Sequence, residues 1–319
     1  MALWPGAAPA DPAGYANEQD ADMTHARLIP LLVLVTTIGC SHAATPAATS
    51  PTMIPISPYL DTVPSLEVTV DGESRRFLLD TAGGITVATP EFAEDIGCTP
   101  WGRLTGHRMR GDRVDGARCD DVELQVSGVP LELPSVLVWD LSKLLPPDAP
   151  PLAGSIGLDA LHDHAITLDL GAGEVTVETP TSLAARVRRA TEVPVRFSRE
   201  VQGLALVPFI PVETPKGRLW MELDSGSDGA LIVGRHAASA LGLDADADSP
   251  QATTLELGGG IEVDAQATLD DLIIDGNIGA PVLRQWAVTI DLANERLWIA
   301  PSTRAAPGDT AAEATAETH

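Results

Sequence analysis

The chain has 319 residues, of which 44% are hydrophobic and 20% charged, so it has enough apolar material for a folded core and too much for wholesale disorder. Acidic residues outnumber basic ones by 45 to 20. The resulting formal net charge of −25 repels phosphate backbones and excludes nucleic-acid binding through a general basic surface. Three cysteines are too few for a disulfide-rich mini-protein, while 26 prolines and 28 glycines favour many short strands and turns.

An export signal is predicted at the N-terminus. The apolar run Leu28–Gly39 is too short to span a bilayer as a helix, but it has the length of the hydrophobic region of a secretory signal. Met23 stands just before it and is an alternative start to the first methionine. The sequence therefore predicts that the protein leaves the cytoplasm.

The end of this run predicts a lipid anchor. It closes in Thr-Ile-Gly-Cys40, which resembles a bacterial lipobox whose cysteine is acylated, and the serine that follows resembles the outer-membrane sorting signal. An ordinary signal peptide cut after Ala43 or Ala44 is the alternative. We predict a periplasmic protein, attached to the outer membrane through Cys40.

The body of the chain repeats itself. Sixteen residues separate Pro64 from Asp80, and sixteen separate Pro208 from Asp224; each aspartate ends an apolar, strand-like stretch. Later in each half, the 16-residue windows 154–169 and 276–291 share seven identical positions. The repeat predicts two copies of one mostly-β unit, related by a pseudo-twofold axis at which matching positions meet.

Composition and repeat together predict the domain boundaries. Segment 41–58 is rich in Ala, Thr, Ser and Pro, which is typical of a flexible tether, and the C-terminal end is similar. The predicted regions are 1–40 (signal and lipobox), 41–58 (tether), 59–180 (first lobe), 181–192 (linker, with a short helix), 193–301 (second lobe) and 302–319 (disordered tail).

The two aspartates that end the matching strands are the candidate functional residues. If Asp80 and Asp224 meet on the axis, two carboxyl groups share one site, and because like charges cannot both ionise easily there, one proton is retained. One group can then activate a water while the other protonates a carbonyl oxygen. This chemistry hydrolyses an amide with no covalent intermediate, no metal and no cofactor.

These residues resemble the aspartic proteases, specifically a tandem fusion of two retropepsin-like units. Asp80-Thr81-Ala82 and Asp224-Ser225-Gly226 resemble the Asp-Thr/Ser-Gly triplets of that family. Ile156-Gly157 and Ile278-Gly279 resemble the hydrophobic-Gly element that packs behind each triplet. The resemblance implies an all-β, bilobal acid-protease fold with two pseudo-twofold-related, β-barrel-like lobes.

The resemblance also implies roles for single residues. Asp80 and Asp224 would be the catalytic pair, and the hydroxyls of Thr81 and Ser225 would lock the two loops together. Ala82 departs from the usual glycine. The residue after each triplet also differs between the units, Gly83 in one and Ser227 in the other, so Ser227 could add a hydrogen bond near the pair.

The resemblance implies an aspartic endopeptidase that takes an extended peptide or protein substrate. Because both units lie in one chain, a monomeric pseudo-dimer would suffice. The alternative is a catalytically weak or inactive module that binds a peptide or an envelope polymer on the same fold. Ala82 and the lack of a tyrosine in the predicted flaps support that alternative.

Flaps are expected to cover the cleft. In unit one, the turn-rich segment 107–118 predicts a hairpin; in unit two, Gly258–Gly260 lies between two strand-like stretches. The first flap region carries five arginines, interpreted either as solvated turn charges or as a selector of acidic substrates. Cys98 and Cys119 either form a disulfide in an oxidising compartment or remain free. Asp169 and Asp291 are predicted to be structural caps.

Overall fold

A computed structural model describes residues 50–304. The predicted signal region, the candidate lipidation site Cys40 and residues 305–319 lie outside the described residues. Within residues 50–304, no helix is long and apolar enough to cross a membrane.

Short strands make up most of both halves. The first half contains β1 (Thr52–Pro55), β2 (Ser57–Tyr59), β3 (Val63–Val70), β4 (Glu73–Leu79), β5 (Val87–Ala88), β6 (Trp101–His107), β7 (Arg113–Val126), β8 (Val129–Val138), β9 (Gly154–Ile156), β10 (Ala165–Asp169) and β11 (Glu174–Glu178). The second half contains β12 (Thr191–Val193), β13 (Arg196–Ser198), β14 (Val207–Thr214), β15 (Gly217–Asp224), β16 (Leu231–Gly234), β17 (Gln251–Leu257), β18 (Ile261–Asp270), β19 (Gly276–Gly279), β20 (Trp286–Asp291) and β21 (Arg296–Pro301). The α-helices are α1 (Pro90–Asp95), α2 (Pro180–Val187), α3 (Arg235–Ala238) and α4 (Ala280–Leu283), and single turns of tighter helix lie at Leu141–Leu144, Leu158–Leu161 and Val201–Gly203.

Each half of the chain folds into its own sheet. The first has the strand order β2-β3-β4-β9-β5-β8-β7-β6, and the second has the order β13-β14-β15-β19-β16-β18-β17. In both, the strand that leads to the aspartate, β4 or β15, runs parallel to the strand that carries the Ile-Gly element, β9 or β19. The two halves therefore fold alike, as the repeat predicts.

Tight turns set the register of the first sheet. Asp71-Gly72 joins β3 to β4 with φ of 50° and 82°, and Ser127-Gly128 joins β7 to β8 with φ of 49° and 84°. Two central residues at positive φ match the right-handed twist of the flanking strands, and glycine reaches this region at no steric cost.

A third sheet joins the two halves. Its order is β1-β11-β10-β20-β21-β12, so each half contributes three strands. The antiparallel pair β10–β20 lies at its centre. The facing pairs include Ala165 with Asp291, Thr167 with Thr289, and Asp169 with Ala287. Thr167 and Thr289 occupy the same position in the two repeats and face each other, and the pairs on either side of them are related by exchange of the two repeats. The pseudo-twofold axis therefore passes between the two threonines, whose Oγ1 atoms lie 2.9 Å apart.

The predicted tether is shorter than 41–58. β1 pairs with β11 and β2 with β3, and Ile54 is buried, so residues 52–58 belong to the fold. Composition failed here because edge strands bond through the backbone and tolerate proline, so a Pro-rich stretch fits wherever a free sheet edge exists.

The predicted linker and tail also overlap the fold. Segment 181–192 contains most of α2, which begins in a capping box formed by Thr179 and Ser182, and the start of β12. Beyond Pro301, Ser302 Oγ and Thr303 Oγ1 donate to the Asp169 carboxylate at 2.6 and 2.9 Å. Asp169 thus ties the end of the described chain to the shared sheet.

Candidate active site

The two candidate aspartates leave matching strands at the junction of the lobes. Asp80 follows β4, and its N–H donates to the carbonyl of Ile156 at 3.0 Å. Asp224 ends β15 and lies in register with Gly279 of β19. Ile156 and Ile278 are buried, so the Ile-Gly strands support each aspartate loop from behind, at the places the sequence predicts.

The Ile-Gly glycines allow close packing behind the loops. A Cβ built on Gly279 would collide with the carbonyl oxygen of Gly229, and one on Gly157 would lie 2.7 Å from Asp159 Oδ1. Only glycine permits backbone approach at this range. Both positions therefore need glycine for a steric reason.

The hydroxyls of Thr81 and Ser225 join the two loops reciprocally. Thr81 Oγ1 donates to the carbonyl of Leu223 at 2.6 Å and accepts from the N–H of Ser225 at 3.0 Å. Ser225 Oγ donates to the carbonyl of Leu79 at 2.7 Å and accepts from the N–H of Thr81 at 3.0 Å. Both side chains are buried, so these four bonds fix one loop against the other.

The two carboxyl groups lie close together, because the carboxyl of Asp80 packs against the backbone of Gly226 in the loop that carries Asp224. Asp80 Oδ1 accepts from the N–H of Ala82 at 3.0 Å, and Asp224 Oδ1 accepts from the N–H of Gly226 at 2.8 Å. A Cβ built on Gly226 would lie 2.6 Å from Asp80 Cγ, so glycine is required there. Ala82 is half-buried and donates the same backbone bond as its counterpart, so alanine leaves this part of the geometry intact.

Burial and mutual repulsion make the pair hold a proton. Burial raises the pKa of Asp80, although the N–H groups of Ala82 and Gly83 oppose the effect. Burial raises the pKa of Asp224 well above its usual range, and the charges of Asp80 and Glu222 raise it further. Because ionisation of one carboxyl opposes ionisation of the other, the pair keeps one proton at a pH above the usual range of an aspartate.

Two polar residues that the sequence analysis did not single out complete the site. Asn277 Nδ2 donates to Asp224 Oδ2 at 2.7 Å and to Glu222 Oε2 at 2.9 Å. The signal was present in the repeat, because Glu222 and Asn277 stand where unit one has Leu78 and Ser155. A glutamate in an otherwise apolar, buried strand must find a partner.

Ser227 does not make the hydrogen bond near the aspartate pair that the difference between the two units suggested. Among the described residues, the Ser227 hydroxyl makes no hydrogen bond, and Asn277 reaches the outer oxygen of Asp224 instead. Ser227 anchors α4 through its carbonyl, which accepts from the N–H of Ala280 at 3.0 Å. A Cβ on Gly83 would lie 3.0 Å from Asp80 Oδ2, so this glycine leaves room for the carboxylate.

A further buried carboxyl braces the first aspartate loop. Asp159 accepts from the N–H and the hydroxyl of Thr86 at 2.9 and 2.8 Å. Thr86 Oγ1 in turn accepts from the N–H of Gly157 at 3.2 Å. Burial raises the pKa of Asp159 to about 6 despite these bonds. Asp159 lies outside the positions that the two repeats share, so the repeat did not predict it.

The predicted flap of unit one is a hairpin closed onto the second lobe. β6 pairs with β7, and Arg108–Asp112 form the tip. Arg110 Nε donates to Asp270 Oδ2 at 2.6 Å, and the N–H of Ile273 donates to the carbonyl of Met109 at 2.9 Å. The flap therefore bridges the two lobes through one ion pair and one backbone bond.

The predicted flap of unit two is a hairpin in a different place. β17 and β18 pair as expected, but the turn at Gly258–Gly260 contacts Val193, Pro194 and Pro211 of its own half. β18 runs parallel to β16 as β8 runs parallel to β5, so this hairpin is the counterpart of β7–β8. Assigning it as a flap was wrong.

Three of the five arginines in the first flap region are paired. Arg110 binds Asp270, Arg113 binds Asp115, and Arg118 binds Asp120 and stacks on Trp101. For these three arginines, the pairs favour the interpretation as structural charges of the flap over a role in selecting acidic substrates. Arg108 lies close enough to Asp80 for its charge to lower the pKa of that carboxyl, in opposition to burial.

An apolar cluster at the base of the flap joins both lobes. The first lobe supplies Ile85, Val87, Leu104, Leu137 and Leu141, and the second adds Val201 and Leu204. The N–H of Leu206 donates to the carbonyl of Gly84 at 2.8 Å. Val201 has φ of 50°, a strained conformation for a β-branched residue, so packing holds this turn in place.

Cys98 and Cys119 form a disulfide that ties the turn after α1 to β7, with Cα atoms 6.1 Å apart.

Within residues 50–304, no group of three or more His, Cys, Asp or Glu side chains has the arrangement of a metal site. A cavity of about 690 Å³ lies on the outer face of β17–β18, and neither aspartate lines it.

Comparison with known proteins identifies the fold. No protein-family model matches the chain, and no curated protein is similar to it in sequence. Among solved structures, the chain is similar to the crystal structure of basic 7S globulin from soybean, with a TM-score of 0.54 and 10% sequence identity over 79% of this chain and 95% of that one. The chain has the all-β, bilobal acid-protease fold. The predicted fold class is confirmed, and at this identity the likeness concerns the fold alone.

Proposed function

We propose that the protein is an aspartic endopeptidase. One observation carries the proposal: two half-buried aspartates from matching loops of the two lobes lie close together, and the reciprocal hydroxyl bonds of Thr81 and Ser225 fix the loops. Because one chain supplies both aspartates, we propose that a monomer acts. We also propose that it acts outside the cytoplasm, anchored through Cys40, on extended peptide segments.

The mechanism follows from the shared proton. At a pH where the pair holds one proton, the ionised carboxylate takes a proton from a bound water, and the protonated carboxyl donates to the carbonyl oxygen of the scissile bond. The oxygen of the water attacks the carbonyl carbon. In the resulting tetrahedral gem-diol, the carboxyl that took the proton of the water gives it to the leaving nitrogen, while the other carboxylate takes a proton from one hydroxyl. The C–N bond breaks, a carboxylic acid and an amine are released, and the pair returns to its one-proton state.

The proposal is tested by exposing a peptide library to the purified protein at several pH values. Asp80→Asn and Asp224→Asn keep side-chain size and remove one ionisable group each, so we expect each to lower cleavage by roughly a thousandfold or more. Asp291→Asn is the matched control and should retain full cleavage, since within residues 50–304 the Asp291 carboxylate accepts hydrogen bonds from Asn294 alone, in the turn after β20.

Retained cleavage in both dyad variants would overturn the assignment. No cleavage by folded wild-type protein at any pH would favour the alternative, a module that binds a peptide or envelope polymer. In that case the same library would be screened for retention on the immobilised protein.

A further inference from the structure

The two halves of the site differ behind the aspartates. In the first lobe, Leu78 and Ser155 lie side by side on neighbouring strands, whereas in the second lobe the same positions hold Glu222 and Asn277. Asn277 is fully buried and Glu222 is 9% exposed. A buried carboxyl costs free energy unless it is bonded, so this departure from symmetry needs an explanation.

The amide of Asn277 connects the two carboxyls of the second lobe. Its Nδ2 donates to Glu222 Oε2 at 2.9 Å and to Asp224 Oδ2 at 2.7 Å, which uses both amide hydrogens. The N–H of Gly226 donates to the other oxygen of Asp224 at 2.8 Å. Both carboxylate oxygens of Asp224 therefore accept a hydrogen bond from a fixed donor. One of these donors is the side-chain amide of Asn277, and its bond to Glu222 fixes the orientation of that amide.

We propose that Glu222 is a positioning residue for Asp224, acting through Asn277, and that its charge extends the working range of the aspartate pair toward alkaline pH. This inference rests on the proposed endopeptidase function, and it concerns a third carboxyl that takes no part in the two-aspartate chemistry.

The electrostatic surroundings support the second part. The ionisable groups around Glu222 are Asp224 on its own strand, Asp80 from the first lobe and Glu200 from the loop before β14, while the cation Arg108 acts on Asp80. Burial raises the pKa of Glu222 to about 7, and the charges of Asp80 and Glu200 add to the rise while the Asn277 bond opposes it. Once Glu222 ionises, its charge raises the pKa of Asp224, so the shared proton is kept to higher pH.

The test is the pH dependence of kcat/KM for the most rapidly cut library peptide. Glu222→Gln can still accept the Asn277 bond but carries no charge. We expect its alkaline limb to move toward acid by roughly one pH unit, with activity on the acid side within about twofold of wild type. Glu256→Gln is the matched control, because Glu256 is exposed on β17, and its profile should superimpose on that of wild type.

A second pair of variants tests positioning. Glu222→Leu removes the partner of Asn277, and we expect kcat to fall roughly tenfold with KM unchanged. Glu222→Leu with Asn277→Ser copies the lobe-one residues, so it should fold even if the single variant does not, and it should show the same acid shift. Superposition of the Glu222→Gln profile on that of wild type would overturn the inference.

Failure of the proposed function would be distinguishable. If wild-type protein cleaves nothing, the side-chain amide resonance of Asn277, assigned by its loss in Asn277→Ser, still reports the carboxyls that it bridges. We expect its upper titration step to move toward acid in Glu222→Gln. A step at an unchanged pH would overturn the role of Glu222 whatever the protein does.

Discussion

Two hydroxyl groups determine how well the candidate site holds together at the residue scale. Thr81 and Ser225 are each buried, and each bonds to one carbonyl and one N–H of the opposite loop. A buried backbone group that loses its only partner loses far more free energy than an exposed one. The two loops therefore depend on these side chains more than on any apolar contact of similar size.

Ser225→Ala should lower the free energy of unfolding by about 2–4 kcal/mol, because it leaves the carbonyl of Leu79 and the N–H of Thr81 without this partner. Urea denaturation measures the loss. Thr81→Ser is the matched control, since it introduces the residue that the second lobe uses at the same place, and it should cost less than about 1 kcal/mol. Equal losses in the two variants would show that volume, not hydrogen bonding, governs this position.

The sequence predicted the symmetric part of the site and not its asymmetric part. Asp80, Asp224, Thr81 and Ser225 were found because they occupy matching positions in a repeat. Asn277 was not found because the prediction used only the positions that both copies share, and the matching residue of unit one is a serine. The hydrogen bond from Asn277 to Asp224 Oδ2 depends on the register between β15 and β19, which sequence alone does not provide.

The tip of the flap is joined to the second lobe by one ion pair and one backbone hydrogen bond. Arg110 and Asp270 have side chains that are 50% and 31% exposed, and exposed ion pairs contribute little and weaken in salt. The backbone bond between Ile273 and Met109 must break when the flap opens. The amide of Ile273 therefore reports flap opening directly.

Asp270→Asn should raise the hydrogen-exchange rate of the Ile273 amide about two- to fivefold, because the ion pair to Arg110 is lost. High salt should produce the same change in wild type and little further change in the variant. Asp271→Asn is the matched control, as Asp271 is 93% exposed and lies 3.8 Å from Arg235. An unchanged rate in Asp270→Asn would mean that the backbone bond alone holds the flap.

One flap was predicted correctly and the other was not, and chain length explains the difference. Asp80 and Gly154 are 74 residues apart, whereas Asp224 and Gly276 are 52 apart, so unit two lacks the chain for an additional hairpin. Glycine-rich turns mark hairpins but do not say what the hairpin covers. Counting residues between matched landmarks would have removed the second flap from the prediction.

At the scale of the whole molecule, the repeat predicted the pseudo-twofold axis but not the sheet that spans it. β10 and β20 lie in the repeated windows and meet at Thr167 and Thr289. The edge strands β1 and β12 come from segments predicted as tether and linker. Their pairing uses backbone groups, which any sequence supplies, so composition carries little information about it.

Buried carboxyls make the stability of the whole molecule depend on pH. The pKa of Asp159 is raised to about 6 and that of Glu222 to about 7, chiefly by burial, since each residue is only 9% exposed. In the unfolded chain they would titrate near pH 4. Their protonated forms are therefore favoured by folding. Their contribution is complete below about pH 4 and is lost as the pH rises through the folded values.

Groups with lowered pKa values act in a separate range. Hydrogen bonds from Ser302, Thr303 and Ala172 outweigh burial and lower the pKa of Asp169, so its contribution is present above about pH 4 and is lost below it. Between about pH 5 and pH 8, the carboxyl groups with raised pKa values should therefore govern how the free energy of unfolding changes with pH.

We expect Asp159 and Glu222 together to lower the free energy of unfolding by roughly 3–4 kcal/mol from about pH 5 to about pH 8, since their folded pKa values lie about one and about two units above pH 5 and each unit is worth about 1.4 kcal/mol. Urea denaturation at both pH values measures it. The combined variant Asp159→Asn and Glu222→Gln removes both titrations with little change in shape, so its free energy of unfolding should fall less steeply by that amount, while the raised Asp80–Asp224 pair supplies a remaining slope. Glu256→Gln should keep the full slope of wild type. If the combined variant loses stability as steeply as wild type, repulsion within a chain of net charge −25, and not these two carboxyls, sets the pH dependence.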